Sequence, residues 1–127
     1  MKHATMLTIA SLLSILLMTF HMMADILRDE NGMASYFFVT VPVMALWLYA
    51  TLVLPQTRSW YVIMLVGAIL ASGVATIHMT GPGSGLAKTH GAFWVWLILA
   101  QGVIGLFSLL LSVRGLWSLR GSHRGQS

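Results

Sequence analysis

Four apolar runs of about 20 residues each, separated by short polar connectors, leave this chain few folds to choose from. A run of that length crosses the hydrocarbon core of a bilayer as one helix. The first span covers about residues 5–27. The second covers about 36–54 and ends before Pro55. The third covers about 59–80, and the fourth about 90–117. The last connector begins Gly81-Pro82-Gly83-Ser84-Gly85, a strong helix breaker. Pro42 falls inside the second span, where it removes one backbone hydrogen bond and is expected to kink the helix or loosen its first turns.

Composition agrees with the spans. Hydrophobic residues make up 57% of the chain and charged residues only 8%. A soluble domain carries roughly 25% charged residues, so a water-soluble globule and a disordered chain are both excluded. There are no cysteines, which excludes disulfides, thiolate metal sites, thioether-attached haem and cysteine nucleophiles. The net charge of +4 sits at span ends and reads as membrane topology; no nucleic-acid partner is implied.

Short connectors make antiparallel neighbours, so the expected fold is all-α: four transmembrane helices in an up-down-up-down bundle. Residues 1–117 form one four-span domain. Residues 118–127 form a polar, basic cytoplasmic tail, mobile or lying against anionic lipid. Lys2, Arg58, Arg114, Arg120 and Arg124 fall on one side of the membrane, Arg28 and Lys88 on the other. That asymmetry places both termini in the cytoplasm. A signal peptide is disfavoured, because Met22-Met23-Ala24 lacks the small residue needed three positions before a cut. Tyr36, Phe37, Phe38, Phe93 and Trp94 fall at the outer interface, and Tyr49, Trp60, Tyr61 and Trp117 at the inner one, as aromatic belts.

Polar residues within the spans recur at helical spacing. Ser11, Ser14, Met18, His21 and Asp25 share one face of the first span. Gln101, Gly105, Ser108 and Ser112 share one face of the fourth, which extended upward reaches Trp94 and His90. Thr40, Met44, Trp47 and Thr51 form a row on the second, and Gly67, Ala71, Ala75 and His78 on the third. These faces are expected to turn inward, the small residues of the third allowing close helix contact.

Three histidines carry the functional interest. His21 lies one turn inside the outer end of the first span, His78 ends the third and His90 begins the fourth. The topology brings all three to one membrane level on the extracytoplasmic side. Asp25, four residues past His21, adds a carboxylate on the same helical face. Two or three imidazoles with one carboxylate suit zinc or iron. Asp25 can instead orient an imidazole from behind. Met22, Met23 and Met79 flank the histidines, and thioethers with imidazole suit Cu(I). His21 and His78, at similar depth on diagonal helices, are also placed to clasp a b-type haem. The alternative is a structural pair, His21 with Asp25 and the headgroups. Arg28 is within reach of Asp25 and would compete with a metal for it. His3 and His123 read as tail residues without a role. Ser84 with His78 or His90 makes a poor hydrolase, and no catalytic residue is assigned.

Leu46-Trp47-Leu48-Tyr49-Ala50-Thr51-Leu52-Val53-Leu54, the segment from Arg58 to Gly67, Ile77-His78-Met79 and the segment from Gly91 to Trp117 resemble small bacterial four-helix integral membrane proteins of no established activity. The resemblance spans most of the chain and implies fold and location alone, an integral protein of the bacterial inner membrane. The chain does not resemble the small multidrug transporters, which rely on a glutamate within the first span; none occurs here. Three functions follow as expectations. The first is a binding protein, more plausibly than an enzyme, with a metal or haem at His21, Asp25, His78 and His90. The second is an accessory subunit or scaffold with a membrane-protein partner. The third is a homo-oligomeric carrier or channel, suggested by the polar stripes of the first and fourth spans.

Overall fold

A computed structural model describes residues 2–27, 34–54, 56–80 and 86–124, with 34–36, 86–90 and 122–124 as backbone only. The expected all-α bundle is what forms. Helix α1 runs Lys2–Leu27, α2 Ala34–Val53, α3 Arg58–Thr80 and α4 Leu86–Arg124. Helices α1 and α3 are long and apolar enough to cross a membrane, as is the Gly91–Gly121 stretch of α4. The apolar part of α2, Phe37–Val53, is shorter. Leu16, Phe20, Phe38, Phe93, Val103 and Leu110 stand exposed on the outer faces, as expected of helices in lipid.

Three expectations change in detail. Helix α1 begins at Lys2, so His3 belongs to the bundle and not to a tail; its ring packs near that of Tyr61. Helix α4 continues to Arg124, so the polar C-terminal segment begins as helix. Trp60, Tyr61 and Trp94 are core residues and not interfacial belts, whereas Phe38, Phe93 and Trp117 do face outward. Helix α2 runs through Pro42 without a break. Pro42 cannot donate to the carbonyl of Phe38, but the helix recovers on either side.

The α3–α4 contact is the most extensive in the bundle, followed by α1 on α4; α2 touches α1 and α3 more sparingly. The small-residue row of α3 explains the first of these. A Cβ at Gly105 would sit 2.6 Å from the backbone nitrogen of Ser72 and 2.9 Å from the Cβ of Ala71, so only glycine lets the two backbones meet there. Trp47 of α2 occupies the space left by Gly67 in the same way. The core gathers Leu7, Trp47, Trp60, Met64, Ala71 and Leu111.

The polar rows turn inward as expected. Ser11, Ser14, His21, Thr51, Gln101, Ser108 and Ser112 are all buried. Several hydroxyls satisfy themselves locally: Thr51 donates to the Trp47 carbonyl and Ser112 to that of Ser108, each at 2.8 Å. The Ser11 hydroxyl lies 3.0 Å from the sulfur of Met64. Gln101 differs. It is 0% exposed, and neither end of its amide bonds another described residue.

Two stability predictions follow. Gly105→Val should lower thermal stability by about 1–3 kcal/mol, since backbone atoms cannot yield to the new methyls. Gly73→Ala, where a Cβ meets nothing within 4 Å, should hold or raise it. Melting both in the same detergent decides the point, and equal melting temperatures would refute the close-approach argument. Gln101→Met removes a buried amide at similar volume and should keep or raise the melting temperature. A loss of more than about 1 kcal/mol would show that the amide is satisfied in the bilayer.

Candidate metal centre

His21 and Asp25 are one helical turn apart on α1, and their side chains meet: His21 Nε2 lies 3.3 Å from Asp25 Oδ2. The i, i+4 spacing makes that contact nearly automatic. Helix α3 ends two residues after His78 and delivers that ring to the same level. The His21 and His78 rings stand edge to face with centroids 4.8 Å apart. Helix α4 adds Trp94, 2% exposed, whose indole lies 6.1 Å from the His21 ring and 5.5 Å from the His78 ring. The sequence offers Trp94 both an inward stripe and a lipid interface, and the inward place is the one it takes. Its burial follows from the breadth of the α3–α4 contact, which leaves an inward aromatic no route to the surface.

Proton positions follow from the partners. His78 Nδ1 is 2.8 Å from the carbonyl oxygen of Val74. A carbonyl only accepts, so Nδ1 carries the hydrogen and Nε2 presents a lone pair. An ionised Asp25 likewise accepts from His21 Nε2. That leaves His21 Nδ1 as the lone-pair nitrogen; it is buried and has no hydrogen-bond partner. Thus two basic nitrogens from two helices sit beside one carboxylate. One ligand atom from each of His21, Asp25 and His78 can be chosen so that all lie within 4.8 Å of one another.

The other sequence candidates divide. The side chain of His90 lies outside the described residues, as do the side chains of Lys88 and Arg28. The backbone after His90 is informative: Gly91 has φ of 82°, a left-handed conformation suited to glycine, and breaks α4 there. His90 and Trp94 therefore do not share a helical face by simple periodicity. Met23 and Met79 are exposed on the outer surface, so their sulfurs do not join the histidines. Met22 lines a groove beside them.

Two features complete the site. One is Trp94 as the wall behind both imidazoles; its burial bears out its place on the inward stripe of the fourth span, seven residues before Gln101. The other is a groove of about 450 Å³ between α1, α2 and α3, bordered by His21 and Asp25. No family profile, curated protein or solved structure matches the chain.

Trp94→Ala should destabilise the protein by about 3–5 kcal/mol through the lost aromatic volume, and Trp94→Phe by much less. Thermal melts of the two variants test whether Trp94 is core. Equal, small losses would return it to the interface.

Proposed function

We propose that this chain is an integral membrane protein that binds a divalent transition-metal ion, zinc or ferrous iron, through His21, Asp25 and His78. One observation carries the reading. Three ligating side chains from two helices converge within 4.8 Å, and one of them, His78, already spends its other nitrogen on a backbone carbonyl. That outer hydrogen bond is the usual way a ligating imidazole is oriented and its tautomer fixed. Tetrahedral zinc with bonds of about 2.0–2.1 Å needs ligand atoms about 3.3 Å apart, which side-chain rotation can supply from this starting spacing. Three protein ligands leave one position open, the arrangement of metal sites that engage a further ligand.

The donor set favours an ion of nitrogen and oxygen preference over copper: Met23 and Met79 face away, and of the three flanking thioethers only that of Met22 stands beside His21. It also favours an ion over haem. Two imidazoles on opposite faces of a haem iron need their nitrogens about 4 Å apart with the macrocycle between them. Rings edge to face at 4.8 Å between centroids leave no such slab. His90 is the further imidazole that the topology brings to this membrane level for the open position. The lysine and arginine asymmetry supports both ends in the cytoplasm and the metal centre on the outer side of a bacterial inner membrane. The resemblance to small bacterial four-helix membrane proteins supports the same location.

The test is elemental analysis of the full chain, purified in detergent from metal-replete cells without an affinity-tag histidine run. Close to one zinc or iron per chain is expected. His21→Ala and His78→Ala should abolish it, and Asp25→Asn should weaken affinity by about 10–100-fold. Metal content that is negligible, or that survives both histidine substitutions, would overturn the assignment.

A further inference from the structure

The groove beside His21 extends well past the metal-ligating side chains, and its chemistry is selective. It runs along α1 from Met18 to Ile26, about 12 Å at helical rise, and is closed on the far sides by α2 and α3. Its mouth opens sideways at Val43, Ile69 and Ile77, all exposed on the outer surface. Entry is therefore from the lipid phase. The volume of about 450 Å³ falls within the range of small-molecule sites.

The lining points to the kind of molecule. Met18, Met22 and Met44 supply thioethers and Trp47 an indole. Sulfur and indole both favour the face or edge of a flat aromatic ring. The polar groups collect toward one end: His21 and Asp25 from α1, with Thr40 from α2. His21 is 4% exposed, and its Nδ1 has no partner. Asp25 offers carboxylate oxygens beside it. The Nδ1 atom is enclosed, so the acceptor within a groove ligand's reach is the carboxylate, and the complementary ligand is a donor. An acyl chain would fill the volume but bring Asp25 no donor beyond His21.

We infer that the groove between α1, α2 and α3 binds a lipid-soluble hydroquinone, its ring among Met18, Met22, Met44 and Trp47 and its hydroxyl donating to Asp25 beside His21. The inference shares those two side chains with the metal reading but does not depend on an ion being bound. It is a binding assignment and implies no electron transfer.

Gly73 provides a clean probe. It lines the groove on α3, and a Cβ built there meets nothing within 4 Å. Gly73→Leu should therefore fold, fill the groove and leave His21, Asp25 and His78 in place. The experiment melts the full chain in phosphatidylcholine nanodiscs, with and without chelator, over a series of decylubiquinol concentrations. A saturable rise in melting temperature is expected, since a ligand that binds only the folded state stabilises it. Decylubiquinone, which cannot donate, should bind at least about tenfold more weakly. Gly73→Leu should abolish the rise while its metal content stays that of the parent. His21→Ala should lose both. No saturable shift would overturn the proposal, as would equal binding of quinol and quinone. A shift that survives Gly73→Leu would place any quinol elsewhere. Tighter binding of decylamine would make the site one for amphiphilic cations and equally refute it. Loss of metal with the quinol shift intact, or the reverse, separates the two readings.

Discussion

The α3–α4 seam, where Gly102 and Gly105 meet Ala75 and Ala71, sets the position of everything else in the bundle. Lipid tails are as apolar as leucine, so helices in a bilayer associate through close packing and not through expulsion of water. Glycine opposite alanine brings two backbones together and multiplies those contacts. With α3 and α4 locked, Trp94 comes level with His78, and α1 lays its own inward row against α4. His21 then meets both rings. Helix α2 takes the remaining side with less contact, anchored where Trp47 enters the space at Gly67. The sparing contact of α2 with its neighbours is why a groove survives between α1, α2 and α3.

The same low-dielectric surroundings govern the polar side chains. Serine and threonine can return a hydrogen bond to their own helix, and Thr19, Thr51, Thr80 and Ser112 do so. A histidine can do it with one nitrogen and still have another to offer, as His78 does with Val74. Imidazole is thus a side chain that a transmembrane helix can orient without exhausting. Asp25 has no such option and needs a donor from outside its backbone; His21, one turn away, supplies one. The pair is locally determined, whereas its meeting with His78 is a property of the fold.

That distinction explains what could be read from the residues. Four spans follow from hydropathy, because the bilayer imposes a length that a sequence must meet. The inward rows follow from steps of three and four. Ser11, Ser14, His21, Gln101, Ser108 and Ser112 are buried as their spacing predicts. The convergence of His21 with His78 needed only antiparallel helices of matched length. Other features depend on lateral packing, which periodicity does not encode. Trp60, Tyr61 and Trp94 sit near span ends, as belt residues would, but face the helix contacts and are buried. His3 reads as part of a tail because the apolar run begins only at about residue 5, although the helix begins at Lys2. The groove had no sequence signature, since it arises from three helices and from the missing side chain at Gly73.

The candidate site is asymmetric in a way that bears on its chemistry. Trp94 closes it on the α4 side, with the seam behind it. On the α2 side His21 and Asp25 form part of the groove wall, while His78 does not. The carboxylate and one imidazole therefore border the open groove, and the second imidazole lies outside it. A site built only to brace the bundle gains nothing from an opening, because a filled core packs better and binds α2 more firmly. A site that exchanges a ligand needs one side held and one side open. Here the held side is made by glycine and tryptophan on α4. The open side is lined by Met18, Met22 and Met44, whose flexible thioethers fill irregular space without fixing its shape.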